Sequence, residues 1–339
     1  MKKLLALVLA LVMVLGCTAV LADDPIVVGF AQVGHESDWR MASTASVQAA
    51  FSAENGFDLR FVDCDNDSAA QIEAVRNFIQ ADVDYIVIDP IVSTGWDTVL
   101  TECDEAGIPV IVIDRTIDDS DKFVSWVGSE MTNEGLAAGA WLKAYAEAKG
   151  ISELNILVIQ GTIGSSAEIG RTNGFKKYAD DNGWNIIDQQ TGDFTQAGGQ
   201  EVMESYLKSY PGQFNVVVCQ NDNEAFGAID AMKAAGVSYG VDKDVIVISF
   251  DACKAALAMV NAGEINADFM CYPLQGTYCA DIIAKIAAGE EVASQTFMVE
   301  PWYAAEDIIP TITYVNNSGV EVTEDIIYCD ADQLANAPY

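Results

Sequence analysis

The sequence predicts an α/β fold made of two doubly wound, Rossmann-like parallel-sheet lobes, and three observations predict it. Short runs of β-branched residues recur along the chain, stretches with helical spacing separate them, and the whole pattern occurs twice. Strands buried on both faces read as continuous apolar runs, and crossover helices between parallel strands supply the interval. The first series is "IVVGF" from residue 26, "LRFVDC" from 59, "YIVIDP" from 85 and "VIVIDR" from 110. The second is "NILVIQG" from 155, "NIIDQQTG" from 185, "NVVVCQND" from 215 and "VIVISFD" from 245. Between them, "VSWVGSEMTNEG" at 124–135 carries the chain from one lobe to the other. Ser68 and Gln71 have the spacing of a capping box ahead of an apolar stripe at Ile72, Val75 and Ile79. Gly56, Gly107, Gly183 and Gly236 fall where helices should stop and turn into the next strand. The tail after Pro301 reads as a β-rich addition.

Residues 1–22 read as a secretory leader, with Lys2 and Lys3 ahead of an apolar run, Leu4 to Leu15, too short to cross a bilayer. Two cleavage signals compete. "VLA" at 20–22 fits the small-residue rule, while "VLGC" at 14–17 resembles a lipobox that would place a lipid on Cys17. The first strand follows that cysteine with almost no polar tether, which favours release after Ala22 over a lipid anchor at Cys17. The expected location is extracytoplasmic, in the periplasm or on the outer face of the cell membrane.

Without the leader, 317 of the 339 residues remain, more than one core usually supports. The formal charge of −34 becomes −36 once Lys2 and Lys3 are removed. So acidic a surface repels nucleic acid and anionic lipid. Seven cysteines follow the leader, at 64, 103, 219, 253, 271, 279 and 329. Their number is odd and no CxxC pair occurs, so neither a zinc knuckle nor a thioredoxin motif is indicated, and buried thiols are the expected state.

In parallel α/β sheets the ligand site lies beyond the carboxyl ends of the strands, where loops converge. In the first series those loops hold Gln32 to Arg40, Asp63 to Asp67, Asp89 to Trp96, and Asp114 with Arg115. In the second they hold Gln160 to Arg171, Asp193 with Phe194, Gln220 to Asp222, and Asp251. The chain has only five arginines, and three of them, Arg40, Arg115 and Arg171, sit in these loops or the helices they open. Planar five-donor guanidiniums suit the fixing of several oxygen acceptors at once. Asp114, Asp222 and Asp251 supply acceptors, Asn221 a donor and an acceptor, and Trp39 and Phe194 flat apolar faces. That set matches a neutral polyol, with adjacent hydroxyls and C–H faces, better than an anion.

Enzyme chemistry is poorly supported. "GTIGSSAEIGR" from 161 is neither a dinucleotide nor a P-loop fingerprint, and no GxSxG elbow precedes a serine. "DCDNDSAAQIEA" from 63 imitates a calcium loop at its first, third and fifth positions, yet has Ser68 in place of the glycine and Ala74 in place of the bidentate glutamate. No cofactor or metal is expected. Glu36, Asp114 and Asp251 come from different loops, which leaves a secreted glycosidase as a remote alternative.

The stretches "GFAQVGHESDWR", "PIVSTGWDTVL", "IPVIVIDR", "QGTIGSSAEIGRTNGF", "TGDFTQAGGQEVMESYL" and "QNDNEAFGAIDAMKAAG" resemble the type I periplasmic sugar-binding proteins of bacterial ABC importers, and within them the galactofuranose binders. The resemblance covers nearly all of residues 26–300. It implies two lobes that close on one neutral monosaccharide, galactofuranose or a related aldose, and a monomer that hands it to permease subunits. The alternative is a sugar- or quorum-signal-binding protein that feeds a chemoreceptor. It implies Glu36, Trp39, Arg40, Asp114 and Arg115 as ligand contacts from the first lobe, and Arg171, Phe194, Asn221 and Asp251 from the second, with Asp222 beside them. It also implies three crossings, near Trp126 to Gly128, Asp251 to Pro273, and Val299 to Trp302. The first lobe would then hold 26–127 plus 273–300, and the second 128–272 plus 301–339. The chain departs from the family at Met270, Cys271 and Tyr272, where a polar contact is usual, and at His35, expected at the rim of the site.

Overall fold

The computed structural model describes residues 24–339; the leader reading, with Ala22 and Cys17, lies outside the described residues. In chain order the first series is β1 (Ile26–Gln32), α1 (Asp38–Ala50), β2 (Phe57–Asp63), α2 (Ser68–Gln80), β3 (Tyr85–Ile88), α3 (Asp97–Ala106), β4 (Val110–Asp114) and β5 (Ser125–Gly128). The second is α4 (Met131–Lys149), β6 (Asn155–Gln160), α5 (Ser166–Asn182), β7 (Asn185–Thr191), α6 (Gln196–Ser209), β8 (Val216–Cys219), α7 (Asp222–Ala235), β9 (Ile246–Asp251), α8 (Lys254–Asn261) and β10 (Ala267–Met270). The chain ends with α9 (Gly276–Ala287), β11 (Gln295–Phe297), β12 (Trp302–Ala304), β13 (Thr311–Val315), β14 (Glu321–Tyr328) and α10 (Ala331–Ala335).

Two sheets result, in two α/β lobes. One has six strands in the order β11-β5-β4-β3-β1-β2, and the other eight, β13-β14-β12-β10-β9-β8-β6-β7. All pairs in the first are parallel. In the second, β10–β12 and β13–β14 run antiparallel. The β-rich tail therefore extends the second sheet. Central strands such as β3, β4, β8 and β9 are buried along their whole length, as their apolar runs require. Consecutive residues enter opposite cores: Ile156 and Val158 pack on one face of β6, Leu157 and Ile159 on the other.

Capping at α2 differs from the sequence expectation. Asp67, not Ser68, is the N-cap, and its carboxylate accepts from the N–H groups of Ala69 and Ala70 at 2.8 and 3.1 Å. Gln71 is buried and does long-range work: its amide donates to the carbonyls of Ala31 and Asp89 and accepts from Ile91 N–H. The buried stripe accordingly shifts to Gln71, Ala74, Val75 and Phe78, with Ile72 and Ile79 at its margin. Gly107, Gly183 and Gly236 do end helices in the left-handed conformation, Gly56 ends a short 3-10 turn, and Gly150 ends α4 the same way.

The chain passes between the sheets three times: from β5 into α4, from β10 to α9, and from β11 to β12. Helices α4 and α5 touch through glycine, where a Cβ on Gly174 would lie 2.2 Å from the Thr132 carbonyl and one on Gly135 2.4 Å from that of Arg171. No larger residue permits that approach.

Candidate functional site

The carboxyl ends of both sheets face each other across a cleft lined by Glu36, Ser37, Trp39, Arg40, Asp114, Arg115, Met131, Ala167, Arg171, Phe194, Asn221, Asp251 and Cys271. The lobes are closed over it. Asp38 N–H donates to Asn223 Oδ1 at 3.0 Å, Ser93 N–H to the Gly164 carbonyl at 2.9 Å, and Thr116 N–H to Ser166 Oγ at 2.8 Å. Arg40, Arg115 and Arg171 are each no more than 3% exposed.

In the first lobe, Ser37 caps α1 by accepting from Arg40 N–H, which starts the helix with Trp39 and Arg40 turned inward. Arg40 Nε donates to Glu36 Oε1 at 2.9 Å, Nη1 to Asp89, and Nη2 to Asp114 Oδ2 at 3.0 Å. Its guanidinium lies 4.7 Å from the Trp39 ring centroid, and Trp39 Nε1 donates to the Cys271 carbonyl at 2.8 Å. Burial pushes the Glu36 carboxyl up, but Arg40 and Arg115 together outweigh it and hold Glu36 below its ordinary range. Arg115 is less satisfied. It donates to the Ile91 carbonyl at 2.9 Å, its Nε has no partner, and the nearest carboxylate oxygens, on Glu36 and Asp114, are 3.9 Å away. Burial and the neighbouring Arg40 lower its pKa. An under-satisfied guanidinium facing a cavity is a ready donor for ligand oxygens.

In the second lobe, Arg171 Nε donates to Glu134 Oε2 at 2.6 Å, Nη1 to the Gln220 carbonyl, and Nη2 to Asp251 Oδ1 at 3.1 Å. Burial works against its charge, and Glu134 and Asp251 more than restore it. Phe194 faces Arg115 across the cleft at 5.3 Å, and Gly161 makes room for it, since a Cβ there would fall 1.9 Å from Phe194 Cζ. Asn221 caps α7 through Oδ1 and donates Nδ2 to the Phe194 carbonyl, leaving one donor and one acceptor free for a ligand. Three site residues at strand or loop ends, Asp114, Phe194 and Asp251, have φ of 60°, 60° and 102°. Non-glycine residues in that region are strained and mark places where the surroundings dictate the backbone.

Nine of the ten residues expected from the sequence line this cleft. Asp222 is the correction: it faces away, accepting from Ser249 Oγ at 2.6 Å and Cys253 N–H at 2.8 Å, so it braces the β9–α8 loop behind the site. Arg115 has no hydrogen bond to a carboxylate, and Arg171 is held by Glu134 as well as by Asp251. Asp89 and Glu134 were missed as ligand-arginine partners. Asp89 sits in a loop that the strand pattern marks, whereas Glu134 lies inside a helix with no local signal. The apolar wall of Trp39, Met131, Ala167, Phe194 and Cys271, with Tyr339 against it, forms one cluster. His35 is turned outward to Asp63 at 3.0 Å and does not line the cleft.

The sequence profile of the periplasmic binding protein domain family matches residues 28–291. The galactofuranose-binding protein YtfQ of Escherichia coli (strain K12) is 38% identical over 267 residues, 77% of this chain and 82% of that one. A crystal structure from Mycobacterium smegmatis in complex with β-D-fucofuranose is 39% identical, with a TM-score of 0.78 over 83% of this chain and 91% of that one. The periplasmic component of the arabinose ABC transporter from Shewanella sp. ANA-3, bound to α- and β-L-arabinofuranose, is 36% identical, with a TM-score of 0.77 over 82% and 92% of the two chains.

Proposed function

The chain belongs to the periplasmic binding protein domain family, and we propose that it is the extracytoplasmic sugar receptor of an ABC importer. It closes its two lobes on one neutral monosaccharide, galactofuranose or a related aldose, and delivers it to the permease. The observation that carries this reading is the balance of the cleft. Three arginines and three carboxylates, Glu36, Asp114 and Asp251, line it together with two aromatic faces. A ligand of either charge would meet no excess of the opposite sign, whereas adjacent hydroxyls would meet donors and acceptors side by side, and C–H faces would meet Trp39 and Phe194. The names of the relatives, galactofuranose, fucofuranose and arabinofuranose among their ligands, support a five-membered ring form.

In this mechanism each lobe offers a rigid array before the ligand arrives, because Arg40 and Arg171 are already held by carboxylates. The sugar bridges the arrays and shifts an open–closed equilibrium about the three crossings. The test is a thermal-shift screen against a monosaccharide panel in both ring forms, followed by calorimetry. A ligand at a hundred times its Kd adds about 2.7 kcal/mol of apparent stability. A panel without any shift sinks the proposal, and turnover of an aryl glycoside would move it to an enzyme.

A further inference from the structure

The three chain crossings meet beside the cleft at a knot of acidic and thiol groups, of which Cys271 also lines the cleft. Ser129 Oγ, on the first crossing, donates to Glu300 Oε1 on the third, and Tyr272 N–H, on the second, donates to the same oxygen at 2.8 Å. Cys271 Sγ lies 3.5 Å from Ser129 Oγ. An oxygen of Glu134, an oxygen of Glu300 and the Cys271 sulfur all fall within 4.8 Å of one another. Glu134 is fully buried, holds Arg171 with Oε2, and leaves Oε1 without a partner. Among the described residues Glu300 has no ion pair, because Arg171 is engaged by Glu134 and Asp251. A separate cavity lined by Glu130, Met298, Val299, Glu300, Trp302 and Glu324, among others, reaches Glu300 from outside, so its carboxyl exchanges protons with water.

Two carboxyls this close in a low-dielectric setting do not both ionise. We propose that Glu300 carries a proton in the closed protein and is a positioning residue for ligand capture, joining the three crossings while Glu134 stays ionised to aim Arg171 into the cleft. Several groups face the pair: Glu130 from the start of α4 and Tyr314 and Glu324 from the tail hairpin line the outer cavity with Glu300, while Cys271 and Arg171 favour the charge on Glu134; the Ser129 hydroxyl and Tyr272 N–H, which donate to Glu300, oppose its proton, and burial with the neighbouring Glu134 outweighs them. Burial and then Glu134 lift Glu300 well above the ordinary carboxyl range. Burial pushes Glu134 up only to about 6, since Arg171 opposes it, so at neutral pH Glu134 is mainly the ionised partner.

The proposal requires that closure draw Glu300 against Glu134 and raise its pKa above the open-state value. The group then contributes affinity that is complete below the open-state pKa and is lost as pH rises through the closed-state pKa. The affinity part of this inference rests on the sugar-binding reading; the protonation part does not.

The test pairs two measurements on the whole protein and on Glu300→Gln, which keeps the acceptor and removes the charge. Infrared spectra without sugar at pH 6, where affinity is complete and Glu300 is protonated in both states, should show a protonated-carboxyl band in the wild type that is missing from Glu300→Gln. Calorimetry with D-galactose as probe should show wild-type Kd rising at least about fivefold from pH 6 to pH 9, at most tenfold per unit for one proton, and Glu300→Gln binding with a flat profile. Identical infrared spectra overturn the proposal, as does a Glu300→Gln profile that keeps the wild-type slope or a tenfold loss of affinity at pH 6. An EDTA-sensitive Kd overturns it too, by assigning the knot to a cation. If galactose gives no heat, the infrared result still decides, so a wrong sugar and a wrong proton fail differently.

Discussion

Replacing Arg40 by alanine tests whether the first-lobe array is one electrostatic unit. The guanidinium is 2% exposed and bonded to Glu36, Asp89 and Asp114. Its removal leaves three buried carboxyls sharing Arg115, whose nearest carboxylate oxygens are 3.9 Å away. Breaking a buried pair from one side costs about 3–5 kcal/mol, which at roughly 2–4 °C per kcal/mol lowers Tm by about 6–20 °C. The loss has a definite pH dependence. In the wild type Glu36 is held below its ordinary pKa, so its contribution exists above the unfolded value and disappears as pH falls through the folded value. In the variant, burial without Arg40 raises that pKa, Glu36 takes up a proton early, and the penalty shrinks on acidification. Differential scanning calorimetry of both proteins at pH 7.5 and pH 5 reads this directly: the gap in Tm should narrow at the lower pH. A gap under 2 °C at pH 7.5, or one equal at both pH values, refutes the reasoning.

Other outcomes follow from the same geometry. Arg115→Met should cost less than about 1.5 kcal/mol in urea unfolding, because no carboxylate depends on Arg115 alone, yet weaken sugar binding about ten- to a hundredfold in calorimetry. Gly174→Ala should destabilise by about 1–3 kcal/mol, since its Cβ would sit 2.2 Å from the Thr132 carbonyl, and should weaken binding by moving Arg171 against Glu134. The seven described cysteines are buried and unpaired, with burial pushing Cys64 and Cys103 up to about 12. A thiol reagent at pH 8 should therefore label all seven in guanidinium and none in buffer; rapid native labelling of any would contradict this.

The fold was legible because strands buried on both faces must be apolar throughout, and six of the eight runs are such strands, while β2 and β7 lie at sheet edges and are only partly buried. The cleft was legible for a related reason. Loops at strand ends and the helix starts they open into supply its side chains, and arginine is scarce elsewhere, so Arg40, Arg115 and Arg171 stand out against an acidic background. What stayed hidden depends on distance in space. Gln71 looks like a cap because it is three residues from Ser68, yet its amide ties β1 and β3 together, and the carboxylate of Asp67, one residue before Ser68, takes the N–H groups of Ala69 and Ala70. Asp222 looks like a ligand because it follows Asn221, but the helix start points the two side chains apart. Glu134 becomes a site residue only through the glycine contact of α4 with α5.

Three of the bridges between the lobes share one property: each donor, on Asp38, Ser93 and Thr116, is a main-chain amide, unlike the Trp39 indole that donates to the Cys271 carbonyl. Any residue but proline provides the same donor, so the latch is largely blind to mutation on the donor side. The cleft beneath it is written in side chains. Recognition is therefore free to drift, or to be redesigned, toward a different sugar while the shutter that reports occupancy to the membrane stays unchanged.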